Sequence, residues 1–460
     1  MHPKRLLSTS FYVIVLFYFV LAASCLEKRE NPIRLLAIQG DSEVSSSKFL
    51  WRNFKAPDST GFVHIPVQDG DLIFGDGFIF SLWEGFPDSI IVDPQDSMVF
   101  VHGELWGIDF SESQNRSIFL DSIRDFDFNH LRNLGLVFPM DTTQKNFLGN
   151  IKGNQHQIDI VITNKDTLGL FNEDLKWLAA NFQISTLIID QVPDSLDFHV
   201  IRSIKTLDFL GLGNIPISLQ TGILPQLPQI KSLSLGAEEP LNFDFFYNNK
   251  QLERLIAGYV VGAEIHVLKN LKELSIIVPS EYFPPYYDFA KRHPNLESLD
   301  FPSNWISDFS HLKGLEKLKW FSFQYSGDSL GLDLEELVET HPQLKLLSIS
   351  HEGFRSRLAN QSALRNFSQL EYLLIQKETF GIDSVIMQMP HLKYLSMPED
   401  YLEDSLNLEA MKKALPNTII SANSGFCLGS GWLLLLLPLS LLAFLIQRLF
   451  FQVSLGKSEP

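Results

Sequence analysis

Between residues 184 and 420 one apolar pattern keeps returning: an aliphatic residue, two of any kind, a second apolar residue, one of any kind, a third. It reads Ile184-Leu187-Ile189, Ile204-Leu207-Phe209, Ile230-Leu233-Leu235, Leu252-Leu255-Ala257 and Leu271-Leu274-Ile276. It goes on as Leu296-Leu299-Phe301, Leu318-Phe321-Phe323, Leu344-Leu347-Ile349, Leu370-Leu373-Ile375 and Leu392-Leu395-Met397. Successive copies begin 19 to 26 residues apart. A period of that size constrains the fold more than any single residue can, because it is the mark of a solenoid. The second and third members lie two apart, so on a short strand they point the same way. One such unit cannot bury its apolar side alone, whereas stacked units form a continuous core.

Between the copies, Leu334, Leu337 and Val338 have helical spacing. His293-Pro294-Asn295-Leu296, His341-Pro342-Gln343-Leu344 and Met389-Pro390-His391-Leu392 share a proline just before the next strand. Proline cannot continue a helix, so each marks the return to the sheet. These residues resemble the leucine-rich repeat family over about half of the chain. The resemblance implies an α/β solenoid with a parallel sheet on its concave side, used to bind proteins or other large ligands. That family usually carries Asn or Cys three positions after the third apolar residue. Only Asn304 fits here, while other copies have Leu212, Glu238, Val260, Pro279, Ser326, Glu352, Glu378 and Asp400. The repeats are irregular.

The 460 residues allow two to four domains, and the net charge is −17. Nucleic-acid binding needs a basic footprint, so this balance argues against it. Residues 1–25 read as an export signal, with Lys4 and Arg5 ahead of the apolar run Phe11 to Leu21 and small residues Ala22, Ala23 and Ser24 before Cys25. Ala-Ala-Ser-Cys is similar to a bacterial lipoprotein box, which makes Cys25 a candidate lipidation site, although Leu21 sits one place too early for that box. Ordinary cleavage is the competing outcome. The other cysteine is Cys427, so no disulfide can staple the region between the two.

Residues 30–127 lack the repeat phase. Runs such as Leu72-Ile73-Phe74, Phe78 to Trp83 and Met98 to Val101, punctuated by Gly70, Gly75, Gly77 and Gly85, point to a small β-rich domain. Asp69-Gly70-Asp71 and Asp76-Gly77 invite a calcium reading but lack its ligand spacing, and Asp-Gly is a favoured hairpin turn. Residues 128–183 read as a transition or solenoid cap, with Leu131-Leu134-Leu136 matching the repeat as an outlying copy. Residues 421–430 read as a small-residue linker. Residues 431–451, from Gly431 and Trp432 through five consecutive Leu to Arg448, read as a single transmembrane helix or a sorting segment, and 452–460 as a short tail.

No catalytic constellation is present, and neither a cofactor nor a metal is indicated. There is no phosphate loop, no His-Glu-x-x-His, no Cys-x-x-Cys and no Gly-x-Ser-x-Gly. His293, His341 and His391 recur with the architecture and read as turn residues. Asn115, Asn360 and Asn366 open glycan acceptor triplets that carry weight only in a eukaryotic setting. What is left is the concave face. The residues between the second and third apolar members read Ile188, Asp208, Ser234, Ile256, Ser275, Asp300, Ser322, Ser348, Leu374 and Ser396. Those just before the second member include Thr206, Ser232, Arg254 and Glu273, then Trp320, Leu346, Tyr372 and Tyr394. The last four, with Leu374 beside them, form an expected exposed stripe and hence the candidate ligand site. The sequence thus points to a non-enzymatic, single-pass membrane protein with its repeats outside the cytoplasm, binding a protein or other macromolecular ligand. The alternative is a structural spacer at the cell envelope without a specific ligand.

Overall fold

Every copy of the apolar pattern forms one short strand, and a short helix, 3₁₀ turn or loop returns the chain to the next. The computed structural model describes residues 33–425, apart from 111–127, 277–287 and segments of six residues or fewer between elements. The first nine strands are β1 (Arg34–Gln39), β2 (Ser45–Ser46), β3 (Arg52–Lys55), β4 (Phe62–Val67), β5 (Leu72–Gly75), β6 (Phe78–Ser81), β7 (Ser89–Gln95), β8 (Met98–Val101) and β9 (Glu104–Asp109). The array then supplies β10 (Asn133–Phe138), β11 (Gln157–Asn164), β12 (Gln183–Ile189), β13 (Phe209–Leu212), β14 (Ser232–Leu235), β15 (Leu241–Asn242), β16 (Arg254–Ala257), β17 (Val260–Val261), β18 (Glu273–Ile276) and β19 (Ser298–Phe301). It ends with β20 (Trp320–Ser326), β21 (Leu346–Glu352), β22 (Tyr372–Ile375), β23 (Tyr394–Pro398) and β24 (Ile419–Gly425).

From β10 to β24 the strands are parallel and in register, apart from a one-residue shift between β11 and β12 at Ile158/Asp159, with two-residue β15 and β17 paired to each other apart from the main sheet. Leu134 faces Ile160, Ile160 faces Leu187, and Leu395 faces Ile420. The array therefore begins before residue 184, and residues 128–183 supply ordinary repeats. The apolar members point into one core with Phe171, Leu175 and Leu178 of helix Phe171–Asn181 and with Leu334 and Leu337 of helix Leu334–Thr340. Asp side chains start several connecting helices. Asp197 accepts from His199 N, Asp333 from Glu335 N and Asp404 from Leu406 N, each satisfying an otherwise orphaned donor.

One copy is out of phase with the sequence reading. Leu210 faces Leu187 and Leu233, and Leu212 faces Ile189 and Leu235, so the working triplet is Leu207-Leu210-Leu212. Leu207 satisfies the pattern in two registers three residues apart, and pairing with both neighbours selects the second. Phe209 and Gly211, in place of Thr206 and Asp208, then face the concave side. Gly211 suits the close packing there: a Cβ would lie 3.2 Å from Ile188 Cγ1 and 3.4 Å from the Phe209 ring, so those side chains would have to shift by a few tenths of an ångström.

The small N-terminal domain expected from the sequence is not a separate body. Its strands join the solenoid's own sheet at both ends. β9 runs parallel to β10, with Ile108 opposite Leu134, while β3 runs antiparallel to β24, with Phe54 opposite Asn423. Between them β4 pairs with β1, β1 with β7, β7 with β8 and β8 with β9. The result is a 19-stranded sheet whose two end strands, β3 and β4, lie against each other. The sheet closes on itself. Of residues 421–430, read as linker, 421–425 are the last five of the seven residues of β24, and 426–430 lie outside the described residues. Ser421, Ala422 and Asn423 are buried because their small side chains fit between β23 and β3.

Among the described residues no helix is long and apolar enough to cross a membrane. The export signal, Cys25 and the apolar run of 431–451 lie outside the described residues.

Candidate functional site

The concave row is assembled as the sequence implied. Ser298, Trp320, Leu346, Tyr372 and Tyr394 face one another in order across β19 to β23, and Leu374 sits between Ser348 and Ser396. Its exposure is not as expected. Trp320 and Tyr372 are 4 % exposed, Leu346 1 %, and Leu374 and Tyr394 0 %. They form a second core with Leu36 and Ile38 of β1, Phe54 of β3, Val63, Ile65 and Val67 of β4, and Val92 of β7. The alternation of these strands explains the cover: every second side chain of β1 and β4 points down onto the aromatic row. The Tyr394 hydroxyl donates to His64 O at 2.7 Å, and the Tyr372 hydroxyl to Ile33 O at 3.3 Å. Burial, helped by Glu371, pushes the Tyr372 phenol up to about 12. The stripe is occupied by the chain's own N-terminal strands.

The cover extends along the arc. Arg254 on β16 is buried, with Nε 2.7 Å from Glu273 and a guanidinium nitrogen 3.8 Å from Asp71 ahead of β5. Burial alone would lower its pKa. Glu273, Asp71 and Glu253 outweigh that and raise it, so the guanidinium stays charged. Asp71 also accepts from Gln68 N at 2.7 Å, and Asp69 pairs with Arg34 at 3.4 Å. The Asp-Gly-Asp stretch therefore serves a turn and two ion pairs. Among the described residues no group of three His, Cys, Asp or Glu could hold a metal ion. His293 and His341 are buried turn residues. The Nδ1 of His293 lies 3.4 Å from Leu268 O, and the Nε2 of His341 lies 3.0 Å from Leu312 O. Burial lowers both pKa values, that of His293 to about 4, so both rings are neutral at pH 7.

An outward-facing row was missed by the sequence reading. It lies on the rim where the parallel strands begin. The residue after each first apolar member gives Lys231, Glu253, Lys272, Glu297, Lys319, Lys345, Glu371 and Lys393. Lys272 pairs with Glu253 at 2.5 Å, Lys319 with Glu297 at 3.6 Å and Lys393 with Glu371 at 2.9 Å. Beside it runs an amide row that bonds to the neighbouring repeat. Gln251 donates to Leu227 O at 2.8 Å, Asn270 to Lys250 O at 3.2 Å and Asn295 to Lys269 O at 2.7 Å. Together they line a shallow depression of about 450 Å³ between Lys231 and Lys317. The Pro-Asn-Leu and Pro-Gln-Leu punctuation carried this signal. These amides stitch the backbone at the start of the strands. At the far end, Val192 N bonds Gly213 O, Ile215 N bonds Gly236 O and the Ser218 hydroxyl donates to Asp194, so successive turns there are tied mainly through the backbone.

No family model matches the chain, and no curated protein matches it. Among solved structures it is similar to an internalin from Listeria monocytogenes, with 17 % identity over 57 % of this chain and 73 % of that one, at a TM-score of 0.26. It is also similar to a leucine-rich repeat protein from Leptospira interrogans, with 14 % identity over 64 % of this chain and 90 % of that one, at a TM-score of 0.27. At such scores the leucine-rich repeat architecture rests on the strand ladder itself: parallel strands in register at a period in the twenties, with the apolar triplet inward.

Proposed function

We propose that the chain is an exported, membrane-attached, non-enzymatic binding scaffold that engages a protein or other macromolecular partner through its outer rim. One observation carries the choice of surface: the concave face over β20 to β23 is filled by β1, β3, β4 and β7, while the lysine and glutamate row of the rim faces solvent. A regular row of opposite charges on a stiff scaffold favours orientation and encounter with a partner of complementary pattern more than raw affinity. The export signal and the apolar run of 431–451 support attachment to a membrane with the repeats outside the cytoplasm.

The test is affinity capture from the native membrane with the full chain, comparing wild type, Lys272→Glu and Trp320→Ala. A partner retained by wild type and by a folded Trp320→Ala protein, and lost with Lys272→Glu, fits the rim. A partner that ignores Lys272→Glu and is lost from a folded Trp320→Ala protein overturns this choice. The aromatic stripe would then be the ligand surface, reached once the N-terminal strands leave it.

A further inference from the structure

The rim ladder has an order that the ion pairs within one copy do not exhaust. From β13 to β20 of the main sheet, the residue just ahead of each strand is Asp208, Lys231, Glu253, Lys272, Glu297 and Lys319. The sign alternates across these neighbouring strands without a break. Backbone bonds of 2.7 to 3.0 Å hold the row in step, from Lys231 N on Asp208 O through to Lys319 N on Glu297 O. None of these residues is buried. The run is bounded on both sides. Asp208 N bonds the carbonyl of Ser185, which is uncharged, and beyond Lys319 comes Lys345, which repeats its sign.

We infer that the rim's partner is a second copy of this chain, docked head to head through this ladder about a two-fold axis between β16 and β18. This rests on the rim reading above and names the partner. A contact of that symmetry brings the same patch of both copies together, so the patch must complement itself. An alternating row with an even number of charges does so, because turning it end for end exchanges the signs. Asp208 then faces Lys319 of the second copy, Lys231 faces Glu297 and Glu253 faces Lys272, each twice, and no like charges meet. An axis lying in the rim plane lays one arc on the other with both concave sides the same way, so curvature does not part the ladders. At the centre, the Lys272–Glu253 pair, 2.5 Å within one copy, joins its mate in a ring of four alternating charges. Such networks hold better than isolated exposed pairs. The chain carries a net charge of −17, and this balanced run lets two copies approach without that repulsion. The ladder is about 24 Å long at roughly 4.8 Å per step, a smaller contact than stable dimers use, so the copies exchange freely.

Lys231 and Glu297 provide the test. Within one copy they stand three strands apart, about 14 Å at roughly 4.8 Å per step, too far to pair, whereas between copies they face each other. The full chain in mild detergent is sedimented at low salt as wild type, as Lys231→Glu, as Glu297→Lys and as an equal mixture of the two variants. Wild type should dimerise. Each variant alone should do so at least roughly tenfold more weakly, since two attractions become repulsions. The mixture should regain the dimer, because a Lys231→Glu copy and a Glu297→Lys copy match at every position. Circular dichroism melts verify that both variants fold. Should a reversal cost the fold, zero-length carbodiimide coupling of the wild-type dimer gives the same reading, by joining Lys231 to Glu297. A mixture that stays monomeric, variants that dimerise like wild type, or a dimer without that cross-link overturns the two-fold. A wild type that stays monomeric overturns the second copy as partner, while the rim itself still stands or falls on capture with Lys272→Glu.

Discussion

One sheet carries two cores, and they are built in opposite ways. Behind it, Leu233, Leu255, Leu274 and Leu299 meet neighbours about one repeat away in the chain. In front of it, Tyr372 meets Ile33 across 339 positions and Tyr394 meets His64 across 330. Loop-closure entropy grows as about (3/2)RT ln n, so a front contact costs roughly 2 kcal/mol more to close than a rear one. The rear core is paid out repeat by repeat, while the front core forms only when the whole array exists to receive β1, β4 and β7. Periodicity in a sequence therefore reports the rear core and is silent about the front one.

Trp320→Ala offers the largest break in that comparison. With Trp320 buried in the front core, the substitution should cost about 3–5 kcal/mol, and adding Tyr372→Ala should cost more. Denaturant melts check the magnitude, and hydrogen exchange checks the place. Amides of β1 and β4 should lose protection before those of β14 to β18. A double variant that melts like wild type would mean the N-terminal strands do not pack on this row.

Leu299→Ala probes the other core. Leu299 is 1 % exposed in the middle of the array, and truncation should cost about 2–5 kcal/mol through lost transfer energy and the cavity left behind. Here protection should fall along the repeats as a group. A loss confined to β1 and β4 would reverse the assignment of the two cores.

How much of this was legible follows from the same asymmetry. The triplets, the helical returns and even the alignment of Trp320, Leu346, Tyr372 and Tyr394 followed from local spacing. Their burial did not, because what covers Tyr394 is His64, and nothing in either stretch names the other. The 204–209 copy was misread because Leu207 fits two phases, and only pairing with β12 and β14 decides between them. Ser421 to Gly425 looked like a linker because a strand squeezed between β23 and β3 needs small side chains, the same residues a linker uses. The rim was within reach: Asn295 and Gln343 follow prolines at the same repeat position, which marks a turn that must bond its neighbour.

Two buried groups of the rear core set opposing pH dependences. His293 has its pKa lowered by burial to about 4, from 6.5 when unfolded. Above pH 6.5 both states are neutral. As pH falls toward 4 the unfolded chain takes up the proton first, and stability falls by about 3 kcal/mol. Asp190 runs the other way. Burial, offset in part by the Asn164 N–H at 2.8 Å, raises it from 3.8 to about 6, so its contribution is lost as pH rises between those values, by about 3 kcal/mol. Across pH 4–6 the two nearly cancel. His293→Leu should unmask the Asp190 slope, because the equivalent positions Leu268 and Leu315 already carry Leu. Relative to wild type, its melting temperature should rise on going from pH 7 to pH 5, and that of Asp190→Asn should fall. Parallel pH profiles for wild type and both variants would show that neither group is held as described.

The rim should give the smallest effect on stability. Lys272 and Glu253 have side chains 51 % and 38 % exposed, so solvent screens their pair. Such pairs contribute about 0.2–1 kcal/mol, and Lys272→Ala should move the melt by no more than that. Its value as a test lies in the contrast with Trp320→Ala. If the front core is structural and the rim is the partner surface, Trp320→Ala acts on the melt, whereas Lys272→Glu leaves the melt nearly alone and weakens capture of the partner. Raising salt from about 0.05 to 0.5 M should weaken wild-type capture in the same direction, since the Debye length shrinks from about 14 to about 4 Å and exposed charges stop steering. Capture that survives both the reversal and the salt would take the rim out of binding and return attention to the face beneath β1 and β4.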